Sequence, residues 1–175
     1  MKRPFILTLI LLTPLFTACQ NNKNTIKVFI SSNEEVDIIK IKEAFPEYNL
    51  EISYASPSSY YYSFLYKSSR EKEYDIFIIR DDEYVISDIK NIYVPFDENN
   101  INYLDSSKEY DFYMVDETKY GIKLNDNPYR INELTSFEEG HDYYINLAKM
   151  SRHVGSYSIY KTTSNLAFTF LNELL

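Results

Sequence analysis

Apolar and polar positions along this chain follow two rhythms. Residues 26–30 (IKVFI) are rich in β-branched and aromatic types and read as a strand. Ser31, Ser32 and Asn33 follow. Ser32 and Glu35 have capping-box spacing, which predicts a helix starting there. Val36 with Ile39, and Ile38 with Ile41 and Phe45, recur at helical intervals, and Pro46 lies just past the end. Residues 50–54 (LEISY) alternate as a strand does. Ser56 and Pro57 look like an N-cap and first helical position, with Tyr61, Phe64 and Leu65 on one face of that helix. Residues 75–79 (DIFII) form the next strand, and the polarity then changes at once to Arg80, Asp81 and Asp82.

Strands alternating with helices imply parallel crossovers and an α/β layer. In such layers ligands sit outside the carboxyl ends of the strands. Three loops occupy those ends: Ser31-Ser32-Asn33, Ala55-Ser56 and Arg80-Asp81-Asp82. The abrupt charge after 76–79 therefore falls where this architecture places function.

The remainder is less periodic. Residues 83–92 read as a short helix and 93–97 (YVPFD) as extended chain. Residues 112–115 and 120–124 flank Asp116 to Lys119 and predict a hairpin, with Gly121 marking a bulge or a close backbone approach. Residues 142–147 alternate as a strand, and 157–160 read as another. Ser164 is expected to cap a final helix with Ala167, Phe170, Leu171 and Leu174 on its apolar face.

Composition narrows the picture. The chain has 175 residues, enough for one medium domain, and its 45% hydrophobic content supplies a core. A net charge of -8 without a basic cluster argues against a nucleic-acid partner, since phosphate binding needs clustered Lys and Arg. Lys2 and Arg3 precede an apolar stretch from Phe5 to Phe16, the size of a signal segment and short for a membrane span. Thr17 and Ala18 then lead into Cys19, the sole cysteine.

The stretch Phe16-Thr17-Ala18-Cys19 resembles the lipobox of a bacterial lipoprotein signal peptide, with Phe16 where leucine is usual. The resemblance implies residues 1–18 as a cleaved leader and a diacylglycerol group on the Cys19 sulfur. It places the protein on the extracytoplasmic face of a bacterial cell membrane, held by its lipid. Residues 20–24 would be a polar tether, and 25–175 a single α/β domain.

Several segments in order are similar to the solute-binding lipoproteins of ABC importers, of the sugar-binding type. They are the lipobox, the strand-helix-strand opening from Ile26, and the run YDIFIIRDDEYVISDIKNIYVPFDE. KYGIKL also resembles the family's Tyr-Gly-Ile-Pro crossing, with Lys123 in place of proline, and the tail SIYKTTSNLAFTFLNELL resembles its return segment. The resemblance implies a periplasmic-binding-protein-like lobe: a parallel sheet of about three strands flanked by helices, with an added hairpin and a C-terminal helix. It implies delivery of a small solute, such as a sugar, to a membrane permease. Residues 125–163 leave no room for a second lobe, so the expected chain is shortened. The competing reading is a surface lipoprotein that serves as a structural or protein-interaction module.

The candidate ligand-binding residues are Ser31, Ser32, Tyr60, Asp81, Asp82 and Tyr84. Asp81 and Asp82 either bind sugar hydroxyls, recognise a cation or form a solvated loop tip. Arg80 either clamps an anion or pairs with its aspartates. Ser31, Ser32 and Asn33 serve a ligand or a cap, and Tyr60 and Tyr84 are rings available for stacking. No enzyme and no cofactor are expected: three glycines form no phosphate loop or nucleophile elbow, and His141 and His153 stand in no metal-binding motif.

Overall fold

A computed structural model describes residues 25–56, 74–83 and 89–175. All its strands lie in one six-stranded mixed sheet. The chain runs β1 (Thr25–Ser31), α1 (Ile38–Ala44), β2 (Asn49–Ala55), β3 (Ile76–Arg80), α2 (Ile89–Ile92), β4 (Phe112–Val115), β5 (Thr118–Lys123), α3 (Arg130–Leu134), β6 (Tyr143–Leu147) and α4 (Leu166–Leu174). Across the sheet the order is β2-β1-β3-β6-β5-β4. The first three strands are parallel, and β6 joins β3 antiparallel.

This is the expected α/β class, with one correction. The sheet does not stop at three parallel strands, and the hairpin is not an appendage. Tyr143–Leu147 pairs along the whole of β3, from Ile76 opposite Leu147 to Arg80 opposite Tyr143. Ile122 of β5 then pairs with Ile145, which fuses the hairpin into the same sheet.

Every residue of β3 is buried. Ile76 and Ile78 face the larger core with Ile26, Val28 and Ile30, while Phe77 and Ile79 face a smaller one with Phe29 and Tyr74. That two-sided burial explains the unbroken apolar run, because a strand covered on both faces cannot alternate. The C-terminal helix α4 covers the larger face. Its Phe170 meets Phe45 edge-on at 5.1 Å and Tyr48 at 4.8 Å. Ala167, Phe170, Leu171 and Leu174 are all buried, as their spacing predicts.

A buried carboxylate ties the two halves of the sheet together. Asp75, just before β3, accepts from the Lys27 amide at 2.7 Å and from the Ser151 hydroxyl. Burial pushes its pKa up, and those two bonds pull it back. His153 joins the network: its amide donates to Ser151 Oγ, and its Nδ1 lies 2.9 Å from Ser164 Oγ, beside the start of α4.

Three local expectations change. Ser32 does not start the helix: its hydroxyl is used in a tight turn with Glu34, and its amide extends the ladder to Ala55. Asp37 is the cap, accepting from Lys40 N at 2.9 Å. Residues 157–160 are not a strand. Gly155–Tyr157 is a single 3-10 turn, pinned by the Tyr157 hydroxyl donating to Asp97. Ser164 sits one residue outside the cap, where Asn165 stands without a side-chain capping bond.

Other readings hold. Asp116 and Glu117 both take positive φ, 46° and 65°, giving the two-residue turn that matches strand twist. The pairing slips by one residue between Phe112 and Met114, opposite Tyr120 and Gly121, so the bulge lies where Gly121 marked it. The helix read at 57–67, together with Tyr60 and Tyr84, lies outside the described residues.

Truncating Phe170 to Ala removes the ring that joins α4 to Phe45 and Tyr48, just past the end of α1. A loss of about 3–5 kcal/mol is expected, read as a lower urea midpoint at unchanged slope. A Gly155→Ala change should also destabilise, because φ is +59° and the added Cβ would meet Asn165 Oδ1 at 2.3 Å.

Candidate functional site

Three segments converge at the carboxyl ends of β1 and β3. Ser31 ends β1, and the 3-10 turn Asp81–Glu83 follows β3 directly. The third segment, residues 138–142, leads into β6. Antiparallel pairing of β6 with β3 carries it there, since Tyr143 lies opposite Arg80 and the Asp81 amide donates to Asp142 O at 2.8 Å. Gly140, at φ +85°, makes the turn that aims this segment at the sheet end.

Arg80 organises the polar groups. It is nearly buried at the rim of the larger core, and its guanidinium forks onto Asp82, with Nε to Oδ1 at 2.8 Å and a terminal nitrogen to Oδ2 at 2.6 Å. The other terminal nitrogen reaches Glu138 Oε2 at 2.7 Å, an oxygen that also accepts from Asn33 at 3.0 Å. Glu83 turns back over the strand end, accepting from the Ser31 hydroxyl at 2.7 Å and from the Arg80 amide at 2.8 Å. His141 Nδ1 stands 3.1 Å from Asp81 Oδ1, which also accepts from the Asp82 amide. Lys123 pairs with Asp142 at 2.8 Å.

The electrostatics follow from these contacts. The Arg80 guanidinium holds the Asp82 carboxyl below the usual carboxylate range. Arg80 and then Asn33 do the same for Glu138. Burial pushes Glu83 upward, with Ser31 and the Arg80 amide opposing it. The result is a carboxylate-rich ledge in which Asp81, Asp82, Glu83, Glu138 and Asp142 face Arg80, Lys123 and His141.

Of the sequence candidates, Ser31, Asp81 and Asp82 meet on this ledge. Asp81 and Asp82 are exposed, while Ser31 is wholly buried and its hydroxyl is held by Glu83. Ser32 is buried, with its hydroxyl in its own turn, so it shapes the loop from behind. Glu83, Glu138, His141 and Asp142 were not among the candidates. Glu83 carries a faint signal, three residues after Arg80 at the start of a turn. Glu138 and His141 carry none, because no spacing links them to residues about sixty positions earlier.

A separate open groove of about 650 Å³ lies by the hairpin, between Ile101 and Phe112, with Tyr110 and Lys119 in its wall. It collects none of the sequence candidates. Among the described residues no helix is long and apolar enough to cross a membrane. Cys19, the expected lipid site, precedes the described residues. A scan against family models, a search of curated proteins and a search of solved structures each found no match.

Arg80→Met keeps the apolar stem and removes the fork, leaving Asp82 and Glu138 facing Glu83 without their cation. Discounted for the exposure of Asp82, the expected loss is about 1–2 kcal/mol by urea unfolding. Its pH dependence has a definite sign. Asp82 and Glu138 are depressed in the fold, so their contribution is present above the ordinary carboxylate range and lost as pH falls through it. The melting temperature of the native chain should therefore drop more steeply below about pH 4 than that of Arg80→Met.

Proposed function

We propose that this protein is a lipid-anchored, extracytoplasmic solute-binding protein of an ABC importer, or a shortened relative of one. In this reading Cys19 holds it to the cell membrane. The ledge at the ends of β1 and β3 meets a small solute with hydroxyl or cationic groups, a sugar being the type suggested, and a membrane permease receives it. The single observation carrying the reading is the convergence of three segments at the carboxyl ends of the parallel strands, with Asp81 and Asp82 left exposed. Open α/β sheets bind ligands at those ends. The fold that goes with this function is a periplasmic-binding-protein-like lobe. The parallel β2-β1-β3 opening and the packing of α4 against Phe45 at the end of α1 support it. Binding rather than chemistry is its task.

One observation favours the alternative, an interaction module without a small ligand. Each guanidinium nitrogen of Arg80 already donates to one of its own carboxylates, and every described strand belongs to one sheet, so no opposite wall stands among the described residues.

The readings separate by thermal shift on the chain from Cys19 onward, against sugars, amino acids and short peptides. A true solute at a hundred times its Kd stabilises by about 2.7 kcal/mol, a rise of roughly 5–10 °C for a domain of this size. The double change Asp81→Asn with Asp82→Asn should abolish that rise. No shift from any compound would favour the interaction module.

A further inference from the structure

One part of the ledge has a donor set of its own. Asp81, Asp82 and His141 each bring a ligating atom within 4.8 Å of the other two. Donors bonded to one ion at about 2.0–2.2 Å stand at most about 4.4 Å apart, so a small closure of these side chains brings all three onto a single ion. We propose that these three residues bind a divalent transition-metal ion of the zinc type.

The imidazole separates this group from an ordinary acidic surface. A cluster of carboxylates alone suits calcium or magnesium, or nothing, whereas an imidazole with two carboxylates selects zinc and its neighbours. The donors come from two segments that only the fold joins, the turn after β3 and the segment before β6. Among the described residues, His141 Nε2 and Asp81 Oδ2 make no hydrogen bond, so each segment offers an open donor. The carboxylates are also held from behind. The Asp82 amide fixes Asp81, and the Arg80 fork orients Asp82, as outer groups orient metal-binding carboxylates.

Five carboxylates against one Arg and one Lys also leave the ledge net negative.

The inference deepens the proposed function and rests on reading the ledge as a binding surface, though on no particular solute. The test is calorimetric titration of untagged full-length protein in detergent, with Cys19 alkylated, using zinc chloride, and magnesium chloride as the control. One saturable zinc site is expected, with no response to magnesium. His141→Ala and Asp81→Asn should each weaken it about tenfold or more. The chain has only two histidines, so imidazole NMR of the unaltered protein gives a readout that needs no variant. Zinc should move the His141 signals and leave those of His153 in place. Absence of saturable zinc binding, unchanged affinity in both variants, or a response from His153 alone overturns the inference. Solute binding that persists in chelator while zinc fails to bind overturns it and leaves the proposed function standing. Zinc binding with no solute response does the reverse.

Discussion

The burial of β3 on both faces governs the rest of the molecule. Five consecutive residues, Ile76 to Arg80, are buried along the strand, with β1 on one side and β6 on the other. Charge can appear only where the strand emerges. Arg80 is the last residue inside, and its guanidinium must find carboxylates at the rim or remain buried without compensation, which is far more costly. Asp82, Glu138 and Glu83 supply them, two to the guanidinium and one to the Arg80 amide. The polar ledge is thus the direct consequence of ending a fully buried strand with a cation.

The same constraint limits what the ledge does. A guanidinium fork held by Asp82 and Glu138 is rigid and oriented, but it has little left to offer an anion. Capacity for a ligand therefore shifts to the acceptors at the outer edge, Asp81 and Asp82, and to the imidazole beside them. Rigidity from behind and open acceptors in front suit a cationic or hydroxyl-bearing partner better than a phosphate. The asymmetry also separates the ledge from the hairpin groove, whose wall mixes both signs of charge with Tyr110 and Phe112.

Much of this was legible locally. The strands at 26–30, 50–54, 75–79 and 142–147 each announced themselves by β-branched content or alternation, and α4 by its stripe of Ala167, Phe170, Leu171 and Leu174. Where the reading failed, a local competitor won. Ser32 had the spacing of a cap, yet its hydroxyl closed a turn with Glu34, and Asp37 took the role. Residues 157–160 had strand-like composition, but the Tyr157 hydroxyl found Asp97 and held the chain in a turn.

The sequence by itself determined which runs become strands and helices, which faces they bury, and that charge gathers after Ile79. Those are properties of period and polarity, each readable within a few residues. Only the tertiary structure decided that β6 enters antiparallel beside β3, because alternation specifies a strand's buried face and not its neighbour. That one pairing brings Glu138 to Arg80 and His141 to Asp81 across about sixty residues of chain. It turns a charged loop end into a built polar site.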